Sequence, residues 1–210
     1  MKRLIKADFY KLIRRRESYL LLLILCIESS VSATIPKTGY AMFVNRCSIS
    51  LSLVMELTFL AVILVAENYA KGTWYAEFLS GHTRKDILIS KLIVYGLSAL
   101  IIVTLNIGIP VFISSKMNGA EFSGGWYMIL PAFLVKILFI LSAATLTAIL
   151  IRKRIITFAV GTAICFSMAK ISEYLLEPMI PYICIPIVFL IGSFLCLIFS
   201  IKMFACDSDK

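Results

Sequence analysis

Three ionisable residues stand inside long apolar runs of this 210-residue sequence: Glu28, Glu56 and Lys136. Each lies about eight to ten residues into a segment otherwise suited to hydrocarbon, a depth at which an ionised side chain costs at least ~2.5 kcal/mol. Residues placed so must face protein or water, and they suit either an ion pair between helices or a pathway for cations. Pairing of Lys136 with Glu28 or Glu56 is the expectation. Side-chain catalysis finds no comparable support. The single histidine, His82, falls in a loop, and no HExxH, GxSxG or paired intramembrane Asp motif occurs. Six cysteines lack CxxC or Cys/His spacing and read as small apolar side chains, so neither a catalytic nor a metal site is expected.

Composition sets the kind of protein that must hold these charges. Residues of the AVILMFWYC set make up 60%, charged residues only 16%, and the mean hydropathy is +0.96. A soluble domain is about 45 to 50% apolar and about 25% charged, so a soluble globular protein is excluded and a polytopic membrane protein is implied. Lys and Arg number 21 against 12 Asp and Glu, for a net charge of +9, and seven of the 21 lie in the first sixteen residues. In a membrane protein that excess reads as topology and contact with anionic lipid headgroups, not as nucleic-acid binding.

The hydrophobic pattern predicts an all-α chain, one domain over 1–210, with six spans near 18–35, 48–66, 92–113, 126–151, 155–176 and 183–204. No cleavable signal precedes them. Sorting the loops puts sixteen Lys and Arg on one side and three (Lys37, Arg46, Lys116) on the other, with Lys136 and Lys170 inside spans. Both termini are therefore expected in the cytoplasm. Outward loops would be 36–47, 114–125 and 177–182, the last broken by Pro178 and Pro181. Pro110 and Pro186 are expected to kink their spans, and Lys170 to pair with Glu173. Ser142, Ala143, Ala144, Thr145, Thr147 and Ala148 give the fourth span a small face fit for close packing.

Two features belong to the basic side. Residues 1–16 include an amphipathic pattern, with Ile5, Phe9, Leu12 and Ile13 on one face, which predicts a helix lying on the inner membrane surface. Residues 67–91 form the longest inward loop. Thr73 is suited to cap a short helix reaching Leu79, Gly81 to end it, and Thr83 to cap a helix running into the third span. Such a helix would expose Trp74, Phe78 and Leu79, which a cytosolic protein surface or the membrane interface would have to cover.

The sequence resembles the ABC-2 type permeases, membrane subunits of a class of ATP-binding-cassette exporters. The resemblance rests on the basic N-terminal helix, on Glu67 followed by Gly72-Thr73, and on Leu79-Ser80-Gly81-His82-Thr83-Arg84-Lys85 leading through Asp86 to Lys91. The six-span layout and the broken hairpin before the last span agree. In length the chain is most similar to the short permeases of lantibiotic and bacteriocin self-protection systems. The resemblance implies a bacterial plasma-membrane export subunit whose coupling helix, about 71–80, seats in a separate ABC ATPase subunit. Glu67, Gly72, Thr73, Trp74, Phe78, Leu79, Arg84 and Lys85 would be the ATPase-coupling residues. It also implies a second permease chain, identical or related, and ATP with Mg on the ATPase, none of it bound by this chain. In keeping with that, no Gly-Lys dipeptide and hence no P-loop is present. A different class, the six-span substrate-binding subunit of energy-coupling-factor importers, shares the size but does not need a coupling helix.

Overall fold

The computed structural model describes residues 2–33, 37–47, 50–70, 72, 77–119, 126–171 and 184–206. Among the described residues there are helices and short connections and no strand. Helix α1 (Lys2–Arg14) meets α2 (Arg16–Ala33) at Arg15. Next come α3 (Gly39–Cys47) and α4 (Leu51–Ala61), and a π-helical turn, Val62–Ala66, joins α4 to α5 (Glu67–Ala70). Four helices follow: α6 (Arg84–Asn118), α7 (Trp126–Ile151), α8 (Arg154–Ile171) and α9 (Cys184–Cys206).

Local chemistry sets several of these ends. Ser50 caps α4, its Oγ accepting from the Leu53 N–H at 3.2 Å. Thr83 caps α6 as expected, accepting from the Asp86 N–H at 3.2 Å while its own hydroxyl donates to the Asp86 carboxylate at 2.7 Å. That bond from Thr83 holds the Asp86 carboxyl below the usual range.

The chain is an all-helical, membrane-embedded protein. By length and composition α6, α7 over Ile129–Ile151 and α9 over Pro186–Phe204 can each cross a bilayer. A fourth crossing results if α3 and Leu51–Ala66, bent by 53°, count as one span. Helix α2 carries Arg16, Glu17 and Glu28, and the apolar stretch of α8, Arg154–Met168, is short for the ~30 Å of hydrocarbon. Of the six expected spans, three to four thus stand on length and composition.

Three expectations change. Residues 36–47, read as an outward loop, contain α3, whose Met42 is fully buried and whose Arg46 turns inward. Pro186 lies in the first turn of α9, where backbone N–H groups have no partner within the helix, so it breaks no bond there. The face of α1 expected to meet lipid is divided: Leu12 is buried and Ile5 and Phe9 lie against the core, while Ile13 is 48% exposed. Glu173 and the 177–182 hairpin lie outside the described residues.

The core is centred on α4, α6 and α7. Tyr95 of α6 is buried and donates its hydroxyl to the Leu57 carbonyl at 2.8 Å. Edge-to-face ring pairs join α4 to α8 (Phe59 and Phe158, 6.0 Å) and α7 to α9 (Phe139 and Phe189, 5.1 Å). The small face of α7 is buried within the chain, and Gly161 of α8 packs there. A Cβ on Gly161 would lie 2.9 Å from the Thr58 methyl and 3.1 Å from the Thr147 hydroxyl. Gly161→Val should therefore cost about 1–3 kcal/mol, seen as a lower unfolding temperature in detergent. Gly96→Ala, with nothing within 4 Å, should leave that temperature unchanged or raise it.

Candidate functional site

The basic end of the molecule is held by a buried ionic junction. Lys91, near the start of α6, is 2% exposed. Its ammonium lies 3.2 Å from Oδ1 of Asp8 in α1 and 3.0 Å from Oε2 of Glu77 in the 67–91 loop. Ser90 donates to Asp8 Oδ2 at 2.7 Å, and Lys11 donates to Glu77 Oε1 at 2.8 Å. Two carboxylates and two ammonium groups thus tie together α1, the loop and α6. Burial by itself would raise the Glu77 carboxyl, but the hydrogen bonds and charges of Lys11 and Lys91 outweigh it and hold that group below its ordinary value.

The loop tip stands on this junction. Residues 77–79 make a helical turn closed by Gly81, which donates its N–H to the Phe78 carbonyl at 3.0 Å. Gly81 has φ of +85°, a conformation that glycine enters without a Cβ clash. Phe78 is 44% and Leu79 81% exposed, with the Arg84 guanidinium 5.6 Å from the Phe78 ring centre. Lys85 is exposed and Gly72 has φ of +64°. Thr73 and Trp74 lie outside the described residues.

Glu67 forms a second junction. It is ion-paired to Arg15, at the elbow between α1 and α2, and to Arg154 at the start of α8, at 3.2 Å. Arg15 also donates to the Ile63 carbonyl at 3.0 Å, within the π-helical turn whose wider winding displaces the regular bonding of an α-helix.

Deeper lies the third cluster. Arg46 of α3, 6% exposed, pairs with Glu28 of α2 at 3.1 Å and reaches Asn106 of α6 at 3.4 Å, and Ser52 donates to Glu28 at 2.6 Å. An ion-pair partner of Glu28 is therefore Arg46. Glu56 of α4 is 5% exposed and neither carboxylate oxygen has a hydrogen-bond partner. Lys136 is half-buried on α7.

Glu56 lines a cavity of about 440 Å³ between α2, α4 with its π-helical turn, and α8. Leu20, Ile24, Met55, Phe59 and Phe158 give it apolar walls, while Glu17, Glu67 and Arg154 complete its charged lining. Its size is that of a small-molecule pocket.

Of the coupling residues read from sequence, Glu67, Phe78, Leu79 and Arg84 fall within or beside the two junctions at the basic end. Arg15 and Arg154, the partners of Glu67, were missed, as were Asp8 and Glu77, the partners of Lys91. One signal was available: Asp8 falls on the apolar face of α1 with Ile5, Phe9 and Leu12, a place no carboxylate takes without a cation opposite. No family model, curated protein or solved structure matches the chain.

Replacing Lys91 by Met leaves Asp8 and Glu77 buried without their shared cation. The expected cost is about 3–5 kcal/mol, with α1 released so that trypsin cuts within residues 2–16 much faster than in the unaltered protein. Acid should act similarly. Because Glu77 is held below its ordinary value near 4.5, its contribution is complete above that pH and is lost as the pH falls through the lower folded value. Protection of α1 should accordingly persist at pH 6 and decline below about pH 4.5, measured with a protease active in acid.

Proposed function

We propose that this chain is the permease subunit of an ABC-2 type exporter in a bacterial cytoplasmic membrane, moving an amphipathic peptide or a lipid-like antibiotic outward. It works beside a second permease chain, identical or related, above ATPase subunits that hold ATP and Mg²⁺. In this reading α2, the bent pair α3 and α4, α6, α7, α8 and α9 are the six crossings. Both termini and the 67–91 loop face the cytoplasm, in line with the positive-inside distribution.

The observation that carries the reading is the mounting of Phe78 and Leu79. Exposed apolar side chains at a loop tip need a partner surface, and these two stand on a turn whose preceding residue, Glu77, is locked to α1 and α6 by Lys11 and Lys91. A force applied by an ATPase at that tip reaches the helices without first being absorbed by loose chain. Glu67 offers the next step, because its ion pairs join the starts of α2 and α8 to the end of α4. Those are the first, fifth and second crossings, whose rocking would alternate access in the exporter family.

A second reading, the ligand-capturing membrane subunit of an energy-coupling-factor importer, is favoured by one feature: the cavity lies within a single chain.

Copurification in mild detergent with the products of neighbouring genes separates the two. An exporter should yield an ABC ATPase with vanadate-sensitive hydrolysis and two permease chains, whereas one copy on a larger membrane scaffold means the importer subunit. Phe78→Asp and Leu79→Asp should each abolish ATPase recovery while membrane insertion is unchanged; full recovery with both variants removes the coupling assignment.

A further inference from the structure

Glu56 is a buried carboxylate with a cavity in front of it and no group on it. Of the charges that act on it, Arg46 is already paired to Glu28. With both carboxylates ionised, Glu28, Arg46 and Glu56 would carry one negative charge more than positive, at a depth where an unmatched charge is expensive. At the mouth, Glu17, Glu67 and Arg154 line the cavity, and Glu67 is paired both to Arg154, at 3.2 Å, and to Arg15. An anionic amphiphile, such as a fatty acid or an acidic lipid, would meet the Glu56 carboxylate in a cavity whose lining cation, Arg154, is already paired to Glu67.

The walls specify the rest of the ligand. Leu20, Ile24 and Met55 are exposed on the outer surface as well as lining the cavity, so an apolar body can enter from the side, from lipid. Phe59 and Phe158 offer aromatic faces and edges inside. We infer that the cavity between α2, α4 and α8 binds an amphipathic cation, an apolar body bearing one ammonium group, with Glu56 as its counter-charge. The ammonium supplies the hydrogen-bond donors and the charge that the Glu56 oxygens lack, and its body fills the apolar volume. As a statement about cargo this rests on the exporter reading; as a statement about binding it rests on the cavity alone.

Binding can be measured without any ATPase. The full chain is placed in nanodiscs of phosphatidylcholine and titrated with dansylcadaverine, an aromatic body on a flexible stem that ends in one ammonium group, with empty nanodiscs as background. Fluorescence anisotropy should report saturable binding at one site per chain. Glu56→Gln should weaken it by about 10-fold or more, and N-acetyl-dansylcadaverine, which lacks the charge, should bind the unaltered chain no better than dansylcadaverine binds Glu56→Gln. Ile24→Trp, which fills the cavity from α2, should abolish binding. Gel filtration and the unfolding temperature establish that each variant is folded, and should Glu56→Gln fail to fold, the acetylated probe and Ile24→Trp still decide. Equal binding of the charged and acetylated probes means a groove for any hydrocarbon, lipid tails included, and overturns the inference. Absence of saturable binding also overturns it, leaving Glu56 balanced by a proton or the cavity covered by a second copy of the chain. Either failure leaves copurification with an ATPase intact, and loss of that copurification leaves the binding intact.

Discussion

Neutralising charge where water is scarce is the constraint on which the rest of this structure depends. A carboxylate or ammonium in such a place must find an opposite charge or hydrogen-bonding groups, and its partner comes from elsewhere in the chain. Lys91 answers Asp8 across 83 positions of sequence, Arg15 answers Glu67 across 52, and Arg46 answers Glu28 across 18. Because α4, α7 and α9 are apolar nearly all round, hydrophobic burial alone leaves their rotation and register loosely set. Ion pairs of this kind contribute little net stability, since desolvation offsets the attraction, but the cost of misplacing them is high. Their effect here is to fix which helix meets which, and at what height.

The two junctions at the basic end divide the labour. Lys91 gathers α1, the 67–91 loop and the start of α6, and does so with almost complete burial. Glu67 gathers the elbow at Arg15, the end of α4 and the start of α8, with Arg154 partly open to solvent at 43% side-chain exposure. The first set is therefore the stiffer seat and the second the easier to rearrange. The π-helical turn lies beside the second set, and the Ile63 carbonyl within it receives Arg15, so one guanidinium joins that turn to the Glu67 pairs.

Much of the fold was legible because local chemistry decides it. Thr83 and Gly81 bound their elements through a side-chain oxygen and a positive φ, and the long apolar runs became helices with ends close to those expected. What remained hidden was decided by placement in three dimensions. Arg46 sits in a short mixed segment that reads as a loop, and only its distance to Glu28 turns that segment into a buried helix. Lys136 has the right sign and depth to pair with Glu28, but nothing in an apolar run announces the guanidinium that α3 brings to 3.1 Å from that carboxylate. Helical spacing identifies the face on which Asp8 lies but is silent about Lys91, which approaches from another helix. Glu56 is the instructive case. Its oddity was visible as a glutamate in an apolar run, whereas the space before it exists only once α2, α4 and α8 are assembled.

Helix α6 is 35 residues long, or about 52 Å at 1.5 Å per residue, well beyond the ~30 Å of a hydrocarbon core. Its Lys91 end grips α1 and Glu77. At the other end, Ser114 and Asn118 donate to the Lys37 carbonyl, and the Gly119 carbonyl accepts from the Gly39 N–H at 3.0 Å. One continuous rod is thus anchored at both ends, with Pro110 as the point at which its internal bonding is interrupted. A tilt imposed at one anchor must be answered at the other or taken up at Pro110. The interruption at Pro110 lies close to the Lys37 end, so the stretch from Lys91 to Pro110 is the longer of the two parts into which it divides the strut.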